Sequence, residues 1–433
     1  MKNFLYLLLL VPFITIGQSV KGTFFPAEDF TYAFLYRANP EGADYVERGQ
    51  LDSNGTFEIQ LDSTAQPGIY KIVYAIPPEE NNFDFIYDGK ETVAFNFSYD
   101  KGVEFTESEE NKLWSSYLKS MNMVNQTISN YYTKDQTDKD GFKSIFKVAK
   151  DTQTAYEESA KGKLVSDFII ANRPYIPSEY ENLSTYSKNL KSDFFKHIDF
   201  NNTLLQSSTF LVDRVTSYVF NMVENPTDHT YKTHIDDVAN AISDEHLKIK
   251  TFLIENLWQR FVALENHDIA NYIGDNYLLE LAQKTENKVL EETLISYKNT
   301  SVGTKAPNFE LTLNGNKTSL HELSNAQNYL VIFWSSGCSH CLNELPKVKK
   351  LIANIPNIQV VAYGLEDDAQ DWTEEIKNYP DFMHVIGLDK WDNPMVKRYG
   401  ITATPTYFLL NADKVIIAKP YDYEELDEVL KDF

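Results

Sequence analysis

The last quarter of the chain sets the strongest constraint on its fold. From Tyr329 onward apolar runs alternate with amphipathic segments: a strand YLVIFW, a helix opening at CSHC, a strand IQVVAYGL and a helix DWTEEIKNY. A strand MHVIGL, a helix PMVKRYG, a hairpin TYFLLNADKVIIAK and a closing helix YEELDEVLKDF follow. Strands alternating with helices imply an α/β layered domain. Both cysteines of the chain, Cys338 and Cys341, sit where its first helix begins.

A C-x-x-C pair invites a structural, a metal-binding or a redox reading. A disulfide across so short a loop removes little unfolded-state entropy, so stapling the fold explains it poorly. Disulfide exchange needs a thiolate, and an ordinary cysteine, with a pKa of about 8.5, is mostly protonated at neutral pH. A helix N-terminus offers unpaired N–H groups that stabilise the anion on Cys338, and the i,i+3 spacing puts Cys341 on the same face. Cys338 is therefore read as the attacking thiol and Cys341 as the resolving one. Two neighbours act in opposite directions. A protonated His340 beside the thiolate would favour the reduced form and make the pair oxidising, whereas Glu344 disfavours a second negative charge and can take the proton of Cys341.

The metal reading uses Cys338, His340 and Cys341 as soft-to-borderline donors, suited to copper or zinc delivery. A closed tetrahedral zinc site wants four ligands, and the sequence has no second C-x-x-C. His229 and His234, with Asp236 and Asp237, are read as surface polar residues. No metal and no cofactor are expected.

At 433 residues the chain exceeds a single ordinary core. Residues 20–106 alternate in period two, as in Phe57, Ile59 and Leu61 or Val93, Phe95 and Phe97, and read as a small β-sandwich. Residues 107–299 carry helical periodicity, starting with Leu113, Trp114, Tyr117, Leu118 and Met121, and read as an all-α domain. The α/β part follows as residues 300–433. Residues 1–19 read as a signal peptide: Lys2, an apolar run from Phe4 to Ile16 too short to span a bilayer, then small residues permitting cleavage after Gly17. The net charge of −23 repels nucleic acid and anionic lipid, so no nucleic-acid partner is expected.

Several motifs together resemble the thioredoxin-like fold, and within it the extracytoplasmic TlpA/ResA-type thiol–disulfide oxidoreductases. "GTKAPNFEL" at 303–311 is similar to that family's entry motif. "FWSSGCSHC" follows a buried strand, Pro346 falls where the active-site helix kinks, and "TATPTYFLL" resembles the loop that carries a cis-proline, here Pro405. An extra helix and strand between residues 365 and 388 match the family's central insertion. The resemblance implies a reversible Cys338–Cys341 disulfide and a functional Glu344. It also implies a substrate-contacting set of Trp334, Gly337, Thr404 and Pro405, with the Thr404 backbone offered for β-type pairing. Two departures stand out. Gly337 replaces a large residue before the first cysteine, and Ile332 occupies the place of thioredoxin's buried aspartate.

The resulting expectation is an exported, periplasmic or cell-envelope enzyme that reduces disulfides in other exported proteins. Its electrons come from a membrane thiol donor, and peripheral association with the envelope is compatible with the chain. Disulfide formation or isomerisation, and copper delivery through the same cysteines, are the alternatives.

Overall fold

Every element below comes from a computed structural model that describes residues 18–134, 137–223, 225–313, 315–353 and 355–431. The expected signal peptide lies outside these residues except for Gln18 and Ser19, and Ser19 already begins a strand. The chain divides after Leu253 into two compact units.

In the first unit the period-two runs become eight strands: β1 (Ser19–Phe25), β2 (Tyr32–Asn39), β3 (Gly42–Gln50), β4 (Thr56–Gln60), β5 (Gly68–Val73), β6 (Asn82–Tyr87), β7 (Val93–Ser98) and β8 (Gly102–Glu107). They form two four-stranded sheets, ordered β4-β1-β7-β8 and β3-β2-β5-β6. Phe24, Phe57, Phe95 and Phe97 of one share a core with Leu35, Tyr70, Ile72 and Phe85 of the other. Gly22 is required in β1, because a Cβ there would stand 2.4 Å from the Phe57 ring and 2.5 Å from that of Phe95.

Helices follow from Glu109–Thr133 onward, and four of them open on a residue whose side chain accepts a free N–H: Ser108, Asp138, Asn182 and Thr227. Asn111, in the first turn, is 2% exposed. Its amide accepts from Ile86 N at 2.8 Å and donates to Ile86 O at 2.7 Å, imitating a neighbouring strand at the β6 backbone. Sheet and helices are thereby tied within one unit. Glu110 does the same for the helix Val165–Ala171, accepting from Leu164 N at 3.0 Å and Val165 N at 2.8 Å.

The second unit begins within the helix Leu247–Ala263 and contains the helices His267–Ile273, Leu279–Lys284 and Lys288–Asn299 before the α/β part. These segments were expected to finish the helical domain. Instead Glu292 pairs with Lys397 at 3.3 Å, and Tyr297 lies under the Lys419 ammonium, 5.9 Å from ring centroid to nitrogen.

A hairpin of β9 (Glu310–Leu313) and β10 (Asn316–Ser319) precedes five strands: β11 (Asn328–Trp334), β12 (Ile358–Leu365), β13 (Met383–Gly387), β14 (Thr406–Asn411) and β15 (Ile416–Ala418). Their order is β13-β12-β11-β14-β15, with β11, β12 and β13 parallel and β14 and β15 antiparallel to their neighbours. The central strand explains why its sequence is apolar throughout. Tyr329, Val331 and Phe333 enter the core on one face, while Leu330, Ile332 and Trp334 enter the core on the other. The second core also receives Cys341 and Leu345 from the helix Ser339–Ile352, and Tyr407 from β14.

Candidate active site

Strand β11 ends at Trp334, and four residues later the chain turns into the helix Ser339–Ile352. Cys338 is the residue that caps it. Its backbone is extended, and its sulfur accepts from Cys341 N at 3.2 Å. The Cys338 thiol also points at the Thr404 carbonyl, 3.3 Å away, and the Thr404–Pro405 peptide is cis. Both thiols are free; Cys338 is half-buried and Cys341 is fully buried.

Their environments separate the two sulfurs chemically. Burial pushes the Cys338 thiol up, but hydrogen bonds from Cys341, Thr404 and the His340 backbone outweigh it and leave it below its ordinary 9.0. Burial, followed by the hydrogen bond with Cys338, pushes the Cys341 thiol up to about 12. One sulfur is ready to attack, and the other holds its proton.

Glu344 stands one helical turn beyond Cys341 and is 3% exposed. The Tyr407 hydroxyl donates to its Oε2 at 2.6 Å, and His340 Nε2 lies 3.1 Å from its Oε1. Burial and the bond to Glu344 push the Tyr407 phenol far above its ordinary range, so it stays a donor. Tyr407 is the β14 partner of Ile332 in the sheet register. A tyrosine–glutamate pair thus occupies the neighbourhood in which an aspartate is missing. His340, whose side chain is 66% exposed, turns its ring to Glu344 and gives Cys338 its backbone N–H. The two residues expected to compete over the sulfur are bonded to each other.

Of the four residues expected to contact substrate, three lie at the surface around Cys338 or directly behind it. Gly337 is exposed, and a Cβ there would meet only Ser335 Oγ, at 3.8 Å. Thr404 is half-buried and Pro405 is buried next to it. Trp334 corrects the expectation. It is fully buried in the core that contains Cys341, so it has no surface to present to a partner.

Sequence reading missed Glu366. This carboxylate, 6% exposed just past the end of β12, accepts from Ser336 N at 2.6 Å, Ser336 Oγ at 2.9 Å and Ser335 Oγ at 3.3 Å. It braces the turn that presents Cys338. In sequence it opens the run Glu366-Asp367-Asp368, which looks like a solvated loop. The only signal is register: Trp334 pairs with Gly364, so two residues further on Ser336 faces Glu366.

The metal reading finds no support in the geometry. Among the described residues no three His, Cys, Asp or Glu side chains converge as metal ligands, and the His340 ring is engaged by Glu344. His234, expected at the surface, is 3% exposed and packs on the Tyr218 ring, whose hydroxyl bonds Asp237 at 2.7 Å. Among the described residues no helix is long and apolar enough to cross a membrane.

A dithiol with one activated and one protonated sulfur, at a helix N-terminus beside a cis-proline loop on a mixed five-stranded sheet, defines a thioredoxin-like thiol–disulfide oxidoreductase. Comparison with known proteins agrees. Residues 301–431 match the Redoxin family. Over 136 residues the chain is 30% identical to the thiol-disulfide oxidoreductase ResA of Bacillus thuringiensis subsp. konkukian, spanning 30% of this chain and 77% of that protein. The ResA of Bacillus cereus matches to the same extent. Among solved structures, a domain of a possible thiol-disulfide isomerase from Cytophaga hutchinsonii is 32% identical, covering 30% of this chain and 91% of that one with a TM-score of 0.27. A thioredoxin-like protein from Bacteroides caccae is 20% identical and covers 60% of this chain and 96% of that one, with a TM-score of 0.33. Through its C-terminal part the chain belongs to the ResA family of thiol–disulfide oxidoreductases.

Proposed function

We propose that the protein is exported and reduces disulfide bonds in other exported proteins, drawing its electrons from a membrane thiol donor. The observation that carries the reading is the asymmetry of the two sulfurs around a buried carboxylate. Cys338, activated and half-buried, attacks a substrate disulfide. That S–S bond breaks, one substrate sulfur leaves as a thiolate and is protonated, and a mixed disulfide with Cys338 remains. Cys341 then loses its proton to Glu344 and attacks the Cys338 sulfur, releasing the second substrate thiol. Two electrons and two protons have passed to the substrate, and the enzyme is left with a Cys338–Cys341 disulfide for the donor to reduce.

The reducing direction rests on Glu344. Its buried negative charge, one turn from Cys341, opposes the build-up of thiolate in the reduced pair, while the His340 ring that would offset this faces the carboxylate and not the sulfur. The thioredoxin-like and strongly oxidising ends of this fold differ by roughly 150 mV, or about 7 kcal/mol for two electrons. Equilibration with glutathione should place the protein at the reducing end, with Glu344→Gln moving it toward the oxidising end. A potential already at the oxidising end, made more reducing by His340→Ala, would reverse the assigned direction. Cys341→Ser should accumulate a mixed disulfide with the natural substrate, and Cys338→Ser far less; equal trapping would undo the assignment of the nucleophile.

A further inference from the structure

The helices of the first unit border a half-open cavity of about 500 Å³, lined by Glu109–Thr133, the 172–175 loop and the helix Leu183–Asp193. Most of its wall is apolar or aromatic, with Met121, Ile128, Tyr132, Tyr186 and Leu190 prominent. Two arginines also line it, and they differ in one respect. Arg173 is neutralised by Glu157 through two parallel bonds, of 2.6 and 2.8 Å. Arg214 has no carboxylate bonded to it among the described residues. Its Nη1 donates to Asn172 Oδ1 at 3.1 Å and its Nη2 to the Phe194 carbonyl at 2.9 Å, while its Nε is buried with no acceptor. The guanidinium lies flat enough on the Phe194 ring to sit 3.8 Å from the centroid. Asp193, the one acidic residue on the wall, is bonded to Lys196 at 2.8 Å.

A guanidinium carries five N–H donors, of which Arg214 uses two. Those two bonds tie the loop to the end of the Leu183–Asp193 helix, yet a neutral donor would serve that purpose as well. Holding a partly buried charge there, with no carboxylate bonded to it among the described residues, is costly unless an anion completes the site. Burial lowers the Arg214 pKa only to about 10, so the side chain remains a cation at neutral pH. A cavity of this size that mixes aromatic walls with polar groups and one arginine that no described carboxylate neutralises has the composition of a small-molecule site.

We propose that this cavity binds a small organic carboxylate with an apolar, ring-sized body, the carboxylate accepting hydrogen bonds from Arg214. The site is separate from the dithiol chemistry and does not depend on it. N-acetyl-L-phenylalanine is a suitable probe, and its C-terminal amide supplies the same body without the charge. With the full chain, saturation-transfer NMR and calorimetry should show the free acid binding at least tenfold more tightly than the amide. Arg214→Gln should abolish that preference, while Arg173→Gln leaves it in place. No transfer to the free acid at millimolar concentration, equal binding of acid and amide, or a preference that survives Arg214→Gln would each overturn the proposal. If Arg214→Gln does not fold, the acid-against-amide comparison on the unaltered chain decides alone.

Discussion

At Cys338 and Cys341 identical side chains have been given different chemistry by a few ångströms of position. The first caps a helix and the second is buried inside it. A thiol held below its ordinary pKa carries more thiolate at every pH short of 9, so alkylation of reduced protein by iodoacetamide should reach half its maximal rate below pH 9 at Cys338. Cys341, pushed up to about 12, should stay unmodified across the same range. Mass spectrometry of the two peptides against pH checks both expectations, and equal modification would mean that the second sulfur is not sequestered. Gly337 offers a contrasting case. It is exposed with room for a side chain, so Gly337→Trp should change stability by no more than about 0.5 kcal/mol in denaturant unfolding while slowing attack on a protein disulfide more than on a small one.

The active-site turn and helix owe their position to contacts made at the C-terminal end of β12 and the N-terminal end of β14. Glu366, just past β12, collects three hydrogen bonds from Ser335 and Ser336, and Tyr407 in β14 holds Glu344. Glu366→Ala should cost about 1–3 kcal/mol by leaving these buried donors without an acceptor. If Glu366 positions the turn as argued, the same variant should also move the Cys338 alkylation profile along the pH axis, and Glu366→Gln should restore part of the shift. A lower melting temperature with an unmoved profile would make Glu366 merely structural. Tyr407→Phe leaves the Glu344 carboxylate short of one buried donor and should slow resolution of the mixed disulfide. Glu344→Gln should slow it further, by roughly 100-fold, in single-turnover kinetics, because it removes the proton acceptor itself.

Within the second unit the α/β part is not self-contained at its N-terminal boundary. Leu290 and Leu294 of the helix Lys288–Asn299 are buried, Thr300 and Ser301 are 2% and 1% exposed, and Glu292 reaches Lys397. A fragment covering 254–433 should therefore melt above one covering 300–433, by on the order of 5 °C in calorimetry. Both should reduce insulin in the presence of dithiothreitol, since the site lies wholly between Ser335 and Tyr407. Equal melting temperatures would show that the preceding helices contribute nothing to the domain.

Local pattern and spacing were enough for the strand and helix order from Tyr329 onward, for Cys338 at a helix start, and for Glu344 on the face of Cys341. Each of these follows from periodicities of 2 and 3.6 residues, which are properties of a short stretch of chain. The same short-range logic could not see Glu366 meeting Ser336, Tyr407 meeting Glu344, or Arg214 meeting Asn172, because those depend on strand register and helix packing across 30 to 63 residues. The family resemblance, not this local logic, put Trp334 among the substrate contacts. The alternation of β11 put Trp334 on an inner face, because a central strand covered on both sides has no outer one. Which groups are reactive was written in the local sequence; what holds, buries and neutralises them was decided by neighbours that only folding brings near.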